Sequence, residues 1–202
     1  MTVFNMKEIK PMINGVLCNT SEEALFELVS PVNGKPLSSI NIGNDSDIDH
    51  AVQSARTAFN EGRWCNKPAS QQKQILHTFA DLIYQHASEL NKLDAIDMGK
   101  PISLARGNAQ AAADQMHFCA EAVDKSSGEL LNSDHRSMVM VDRIPRGVVG
   151  AIVPWNFPTI NAVGKIAPAL AAGNCVVLKP SEYAPQSAML LGQLALEAGI
   201  PS

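Results

Sequence analysis

The chain has few of the features that point to a nucleic-acid-binding, membrane or secreted protein. Aromatic residues make up 5% of its 202 residues, and no apolar run approaches the length of a membrane-spanning helix. Its net charge is −4, with interspersed signs, so no electrostatic feature favours a nucleic acid or an anionic membrane as partner. Residues 1–10 lack the apolar centre of a signal peptide. We therefore predict a cytoplasmic globular protein with no nucleic-acid and no membrane partner.

Cysteine is scarce and scattered. The four cysteines form no CxxC pair and lie near no clustered histidines: Cys18, Cys65, Cys119 and Cys175. This spacing argues against a disulfide framework and predicts no metal site, so we expect reduced, buried thiols. The phosphate-binding patterns GxxxxGK[ST] and GxGxxG are also absent, which argues against a nucleotide-binding protein of unrelated chemistry.

The first sixty residues are predicted to form short strands and one helix. Turn signals bound strands at residues 12–18 and 37–41. Asp47 is the predicted N-cap of a helix that carries an apolar face and ends at Gly62.

Residues 70–147 are predicted to be mostly helical. Apolar spacing indicates a long amphipathic helix from Ser70 to Gly99, with a break near Ser88, and an alanine-rich helix over residues 103–125. Residues 126–137 are predicted to be a loop and residues 138–144 an alternating strand. We expect these parts to form one continuous layer of helices around a sheet.

The stretch from Val148 to Glu182 has the pattern strand, turn, helix, strand, turn. Val148–Val153 is continuously apolar, as is typical of a parallel strand buried on both faces. Pro158 suits the first turn of the following helix, and Gly173 its left-handed end. Residues 176–178 then form the second strand, and a further helix follows at residues 185–198.

Two polar turns follow these strands. A right-handed crossover between parallel strands places their carboxyl ends side by side, so Asn156 and the Lys179–Glu182 segment are predicted to meet at one edge of the sheet. Ligands bind at this edge in open α/β sheets. A turn asparagine and a surface ion pair would fit the same positions without any ligand.

Three motifs in this order resemble the NAD(P)-dependent aldehyde dehydrogenase family. They are PWNFP at 154–158, KIAPALAAGN at 165–174 and KPSE at 179–182. Further matches at Asn14–Gly15, Pro31–Gly34 and Gly99–Pro101 extend the resemblance over essentially the whole chain. Within the family, the chain is most similar to members that oxidise amine-derived aldehydes, such as γ-glutamyl-aminobutyraldehyde or betaine aldehyde.

The resemblance implies a fold and a division into parts. The fold class is α/β, an incomplete Rossmann-like parallel sheet with flanking helices and a β-arm of the oligomerisation type. Residues 1–126 would be the N-terminal part of the cofactor-binding domain, residues 127–147 the arm, and residues 148–202 the first β-α-β-α of the dinucleotide-binding sheet. The full-length form would be a homo-oligomer.

The resemblance also implies roles for site residues. Asn156 matches an asparagine whose side-chain amide donates to the oxyanion that forms when a cysteine thiolate attacks the aldehyde. Lys165 matches a lysine with a charge-relay role in betaine aldehyde dehydrogenases, and a surface or ion-pair role is equally open for it. Lys179 and Glu182 match residues that hold the ribose hydroxyls of the adenosine. The full set that would border the cofactor is Ile152, Val153, Pro154, Trp155, Asn156, Lys179, Pro180, Ser181 and Glu182.

The implied cofactor is NAD, because a carboxylate at position 182 would repel a 2′-phosphate, and NADP stays open. The implied substrate is an aldehyde. Family members often carry a tryptophan where this chain has Gly164 and an apolar residue where it has Asn161. If these positions line the aldehyde entrance, the tunnel is wider and more polar here.

The family continues beyond the position that matches Ser202. Its glycine-rich phosphate motif, general-base glutamate, nucleophilic cysteine and catalytic domain lie in that later part. We therefore expect the 202 residues to be the N-terminal part of an aldehyde-oxidising enzyme that is inactive alone. The alternative is a non-catalytic remnant or interaction module that associates with full-length subunits.

Overall fold

A computed structural model describes residues 8–20 and 24–202. Its strands are β1 (Glu8–Ile9), β2 (Met12–Ile13), β3 (Val16–Leu17), β4 (Leu25–Val29), β5 (Pro36–Asn41), β6 (Glu129–Leu131), β7 (Val139–Val141), β8 (Val148–Ile152) and β9 (Cys175–Lys179). Its helices are α1 (Asp45–Asn60), α2 (Ala69–Gln85), α3 (Ala87–Met98), α4 (Ile102–Ala105), α5 (Asn108–Ala122), α6 (Pro158–Ala171) and α7 (Gln186–Glu197).

The strands form four small sheets. β5 lies between β1, to which it is parallel, and β4, to which it is antiparallel. The strand predicted over residues 12–18 is instead the hairpin β2–β3, because Asn14 (φ 52°) and Gly15 (φ 73°) adopt left-handed conformations and reverse the chain. β6 pairs antiparallel with β7, and β8 pairs parallel with β9.

The predicted start of α1 is wrong by three residues. Asn44 is the N-cap, and its side-chain oxygen accepts hydrogen bonds from the backbone N–H groups of Ser46 and Asp47. Asp47 is the reciprocal member of this capping box, because its carboxylate accepts from the Asn44 backbone N–H at 2.9 Å. The predicted apolar face of α1 is largely uncovered: Ile48 and Val52 are exposed.

Two further predictions between residues 103 and 137 are wrong. The single helix over residues 103–125 is divided into α4 and α5 at Gly107, whose φ of 95° lies outside the helical region. The predicted loop at 126–137 contains the strand β6, which is stabilised by pairing with β7, a contact that periodicity within three residues cannot reveal.

The predicted layer of helices forms the main core, and it packs against the sheet through Val176 and Leu178 of β9. Residues of α2, α3, α5, α6 and α7 bury one continuous apolar cluster. The small side chains of α5 allow α2 and α6 to pack closely on either side of it, as its alanine-rich stripe predicts. These buried residues of α5 are Ala109, Ala112, Ala113, Met116, Cys119 and Ala120.

The parallel unit at the end of the chain is confirmed in its order and wrong in its burial. Pro158 is the first residue of α6, and Gly173 (φ 79°) follows its end. β8 is not buried on both faces, since the Ile152 side chain is 78% exposed. Burial alternates along the strand, since Gly150 and Ile152 are exposed whereas Ala151 and Val153 are buried. Among the described residues, one face of this two-stranded sheet is therefore uncovered at the carboxyl end of β8.

None of the helices formed by residues 8–20 and 24–202 combines the length and the apolar character that crossing a bilayer requires.

Candidate functional site

The candidate site lies where β8 and β9 end. The two strands are in register from Val148 opposite Cys175 to Ile152 opposite Lys179. One residue further, the Val153 N–H donates to the Lys179 carbonyl at 3.2 Å. The segments that follow β8 and β9 therefore leave the sheet side by side. We name them the first turn (Val153–Phe157) and the second turn (Pro180–Pro185). The sequence-based prediction that these turns lie side by side is thus confirmed.

The first turn presents an aromatic side chain and an amide to solvent. Trp155 is 51% exposed and Asn156 is exposed, whereas Val153 is buried beneath them. The Asn161 side-chain amide, on the first part of α6, donates to the Asn156 Oδ1 at 3.4 Å. This contact uses the oxygen of the Asn156 amide. The N–H groups of the same amide are therefore the donors that can meet a ligand.

The second turn presents an ion pair. Lys179 Nζ lies 3.3 Å from Glu182 Oε2, and both side chains are partly exposed. A hydrogen bond from its own backbone N–H, together with the neighbouring Lys179, holds the pKa of Glu182 below its usual range. The carboxylate is therefore ionised and offers acceptors for hydroxyl groups. Ser181 is buried, and its Oγ accepts from the Tyr183 N–H at 3.3 Å, which shapes the turn.

Two buried aspartates of α3 contact the helices that follow these turns. Asp94 Oδ1 accepts from Thr159 Oγ1 at 3.0 Å, and Asp94 Oδ2 accepts from the Thr159 N–H at 3.4 Å. Asp97 Oδ2 accepts from the Gln186 N–H at 3.1 Å, and Asp97 Oδ1 from its side-chain amide at 2.5 Å. Burial raises the pKa of Asp97 to about 7 and also raises the pKa of Asp94.

The sequence-based prediction did not include these aspartates. Periodicity contains a signal for them, since Leu90, Leu93, Asp94 and Asp97 lie on one face of a helix at spacings of three and four residues. Acidic residues on the same face as buried leucines must find donors inside the protein.

An open cleft of about 310 Å³ lies beside both turns. Trp155 comes from the first turn, Tyr183 from the second, and Asp97 from α3. Phe26 of β4 packs edge-on against Tyr183 with ring centroids 5.5 Å apart. The residues that line the cleft are Leu28, Val29, Pro31, Asp97, Met98, Trp155 and Tyr183.

Lys165 and Gly164 lie further along α6. Lys165 is exposed. Gly164 faces α5, where an added Cβ would lie 3.6 Å from the Gln115 side-chain amide. The two departures from the family pattern thus have different surroundings, because Asn161 lies beside Asn156 and Gly164 beside Gln115. A wider, more polar aldehyde tunnel stays a prediction.

Cys119 and Cys175 lie away from the two turns. Cys119 is buried in α5, and Cys175 lies at the amino end of β9, opposite the end that carries Lys179. Burial raises the pKa of both thiols. Only Cys119 is fully buried, so the predicted burial of all four is wrong; the other three are partly exposed. Within the described residues, no cluster of three or more cysteine, histidine or acidic side chains could hold a metal ion.

Strand, helix and parallel strand, with polar turns at adjacent carboxyl ends, define an α/β protein with the arrangement that open ligand-binding sheets share. A family model, "Aldehyde dehydrogenase family", matches residues 18–202. The chain belongs to the aldehyde dehydrogenase family.

Individual relatives support the same family assignment. The chain is 44% identical over 195 residues to the NADP/NAD-dependent aldehyde dehydrogenase PuuC of Escherichia coli, a match that covers 96% of this chain and 39% of PuuC. Among solved structures, it is similar to the aldehyde dehydrogenase KauB from Pseudomonas aeruginosa, with TM-score 0.93 and 42% identity over 96% of this chain and 39% of KauB.

A third match is indole-3-acetaldehyde dehydrogenase complexed with NAD⁺, with TM-score 0.93 and 41% identity over 96% of this chain and 39% of that protein. The predicted family and the α/β fold are thereby confirmed. The chain spans about two fifths of the length of the curated relatives it matches.

Proposed function

We propose that these 202 residues form the N-terminal part of an enzyme that oxidises an aldehyde to a carboxylic acid with NAD(P)⁺. One observation carries the proposal: the Asn156 amide and the Lys179–Glu182 pair are exposed where the two paired strands β8 and β9 end side by side. The substrate class suggested by the resemblance of the sequence motifs is an amine-derived aldehyde. The bound cofactor supplies the acceptor for the hydride.

The second turn is proposed to bind the adenosine ribose of the cofactor. The ionised Glu182 carboxylate accepts hydrogen bonds from ribose hydroxyls, and Lys179 holds that carboxylate in place. Ile152, Val153, Pro154, Trp155, Pro180 and Ser181 border the same ligand. A 2′-phosphate would lie against Glu182 and be repelled, which favours NAD⁺ over NADP⁺.

Titration of NAD⁺ and NADP⁺ into the 202-residue chain by calorimetry tests this assignment. Glu182→Gln should weaken NAD⁺ binding and narrow the preference over NADP⁺, because the neutral amide accepts hydroxyls less strongly and does not repel phosphate. Glu197→Gln, an exposed change at the far end of α7, is the matched control. Equal affinities of the Glu182→Gln and wild-type chains for both nucleotides would refute the assignment.

The first turn is proposed to stabilise the oxyanion. The Asn156 N–H groups donate to the oxygen on which negative charge develops, an interaction that is strongest in the transition state. In a chimera that joins residues 1–202 to the remaining part of PuuC, Asn156→Asp should lower kcat by about 10²- to 10³-fold with little change in KM. Asn60→Asp, exposed at the end of α1, is the control. Unchanged kcat would contradict this role.

Lys165 is proposed as a charge relay that acts through its exposed ammonium group on α6. Lys165→Gln in the same chimera would then lower kcat and shift its pH profile. A variant with wild-type kcat at every pH would assign Lys165 a surface role only.

We also propose that the 202 residues by themselves do not oxidise aldehydes. Covalent catalysis needs a thiolate beside the oxyanion donor. Cys175 begins β9 at the opposite end of the strand, and the raised pKa values of Cys119 and Cys175 keep these thiols protonated. An NADH assay tests the proposal, and any rate that Asn156→Ala removes from the chain alone would refute it.

Residues 127–147 are proposed to be an arm that joins copies into a homo-oligomer, between an N-terminal part (1–126) and the dinucleotide-binding part (148–202). Every residue of β6 and β7 is exposed, including Leu130 and Met140, which face each other across the hairpin. Light scattering should show oligomers that Met140→Glu weakens and Leu104→Glu, on α4, does not. An unchanged mass of Met140→Glu would contradict the proposal.

The same exposed hairpin is what favours the second candidate, an interaction module. Coexpression of the 202-residue chain with a full-length family member distinguishes the two. Mixed oligomers with unaltered specific activity would support the module, and the absence of mixed oligomers would reject it.

A further inference from the structure

We propose that Asp94 and Asp97 of α3 are positioning residues that cap α6 and α7 from a distance and thereby fix the first and second turns relative to each other. The functional meaning of this device rests on the proposed function, whereas the contacts themselves do not.

Neither helix supplies its own cap. The N-cap residues are Phe157 for α6 and Pro185 for α7, and neither makes a side-chain hydrogen bond to its helix. The first backbone N–H groups of a helix have no partner within it and need acceptors from elsewhere. Pro158 removes one such donor from α6, which leaves the Thr159 N–H as the next donor in need of an acceptor.

Asp94 meets this need for α6. Its two carboxylate oxygens accept from the N–H and the Oγ1 of Thr159, a residue 65 positions later in the chain. Thr159 is three residues after Asn156, so this contact holds the end of the turn that presents the proposed oxyanion donor. Lys100, just beyond α3, adds a second contact, because its Nζ lies 4.0 Å from the centroid of the Phe157 ring.

Asp97 meets the same need for α7. Its two oxygens accept from the backbone N–H and the side-chain amide of Gln186, 89 positions later. Gln186 is four residues after Glu182. Asp97 also lines the cleft together with Trp155 and Tyr183, so the same carboxylate borders residues of both turns.

The two aspartates are one helical turn apart on a single helix, and their distance is therefore fixed. Asp94 and Asp97 are 1% and 4% exposed, so each depends on the amides it receives. Two charged groups lie near them: Lys100 attracts Asp94, and Asp94 raises the pKa of Asp97. The uncharged side chains around them are Thr159, Tyr183, Gln186 and Ser187. α3 thus sets the separation of the oxyanion donor and the ribose site, in addition to the pairing of β8 with β9.

Nuclear magnetic resonance of the ¹⁵N-labelled 202-residue chain, combined with NAD⁺ calorimetry, tests the proposal. The indole N–H of Trp155 reports on the first turn, and that of Trp64, which donates to the Leu170 carbonyl in the core, reports on folding. Asp94→Asn should move the Trp155 resonance and leave that of Trp64 in place. Asp97→Asn should weaken NAD⁺ binding about tenfold, because one of the two oxygens that contact the start of α7 is replaced by an amide group that can only donate.

The pH profile separates positioning from a general effect on folding. The Gln186 side-chain amide resonances of the wild-type chain should titrate near pH 7 with Asp97, and Asp97→Asn should abolish this titration. Asp114→Asn, exposed on α5, should change neither NAD⁺ affinity nor the profile. Gln186→Met removes one donor and keeps Asp97, and it should also weaken NAD⁺ binding. It replaces Asp97→Asn as the test if that variant does not fold.

Folded Asp97→Asn or Gln186→Met chains with wild-type NAD⁺ affinity would overturn the proposal. Glu182→Gln distinguishes this failure from that of the proposed function. If Glu182→Gln weakens NAD⁺ binding and the Asp97 and Gln186 variants do not, positioning alone fails. If Glu182→Gln also has no effect, the ribose site itself is wrong.

Discussion

The stability of the chain should fall as the pH rises from about 5 to about 7, because Asp97 is protonated in the folded state over most of this window and ionised in the unfolded state. Burial raises its pKa from 3.8 to about 7. An acidic group whose pKa is raised by folding stabilises the protein below the unfolded pKa, and this contribution is lost as the pH approaches the folded value. Asp94, whose pKa is also raised, acts in the same direction.

The magnitude follows from proton linkage. Near pH 5, unfolding releases close to one proton from Asp97, so the free energy of unfolding falls by about 1.4 kcal/mol per pH unit; at pH 7 only about half a proton is released and the slope is half as steep. The expected loss is therefore about 2 kcal/mol between pH 5 and pH 7 and about 3 kcal/mol by pH 8. Carboxyl groups whose pKa is lowered, such as Glu121 and Glu182, complete their titration at lower pH and do not contribute in this window.

Urea unfolding of the wild-type and Asp97→Asn chains at several pH values between about 5 and 8 measures the effect. The difference in unfolding free energy between them should decrease by about 3 kcal/mol over that range, since all other groups titrate alike in both. Asp114→Asn should track the wild-type chain. A wild-type to Asp97→Asn difference that is constant with pH would show that the buried carboxylate is ionised throughout, and the reasoning would be wrong.

Two further predictions concern packing and backbone. Trp64→Phe should lower the free energy of unfolding by about 1–3 kcal/mol, because the 2.8 Å hydrogen bond to the Leu170 carbonyl is lost and the smaller ring leaves a void in the core, although that carbonyl still accepts from the Gly173 N–H; an unchanged urea midpoint would contradict this. Gly164→Ala should raise the free energy of unfolding by about 0.5–1 kcal/mol, because α6 has room for a Cβ beside Gln115. Gly173→Ala should lower it by about 1–2 kcal/mol, because φ is 79° and the new Cβ would lie 2.9 Å from Pro145 Cγ; thermal unfolding of the two variants with the same sign of change would refute the comparison.

Much of the parallel unit could be predicted from sequence because its signals are local. The β-prone runs of β8 and β9, the proline at the start of α6 and the glycine after its end lie within a few residues of the feature each specifies. The two turns follow from the geometry of parallel strands. Asn156 and Glu182 could thus be placed at one edge of the sheet from the sequence alone.

The parts that sequence did not predict depend on contacts between distant residues. β6 forms because of β7, and the covered and uncovered faces of α1 and β8 depend on which elements pack there. The partners of Asp94 and Asp97 lie 65 and 89 positions away, so periodicity could indicate that these acids are buried and could not identify the helices they cap.

The contacts of α3 have a consequence for dissecting the protein. A boundary before Val148 is natural in the sequence, yet a fragment that begins there would leave the first N–H groups of α6 and α7 without their acceptors. Such a fragment would also lose the helices that cover α6. We therefore expect that the strand-helix-strand unit does not fold by itself. Its two turns should become rigid only once α3 packs against α6 and α7, which would make them late-forming parts of the chain.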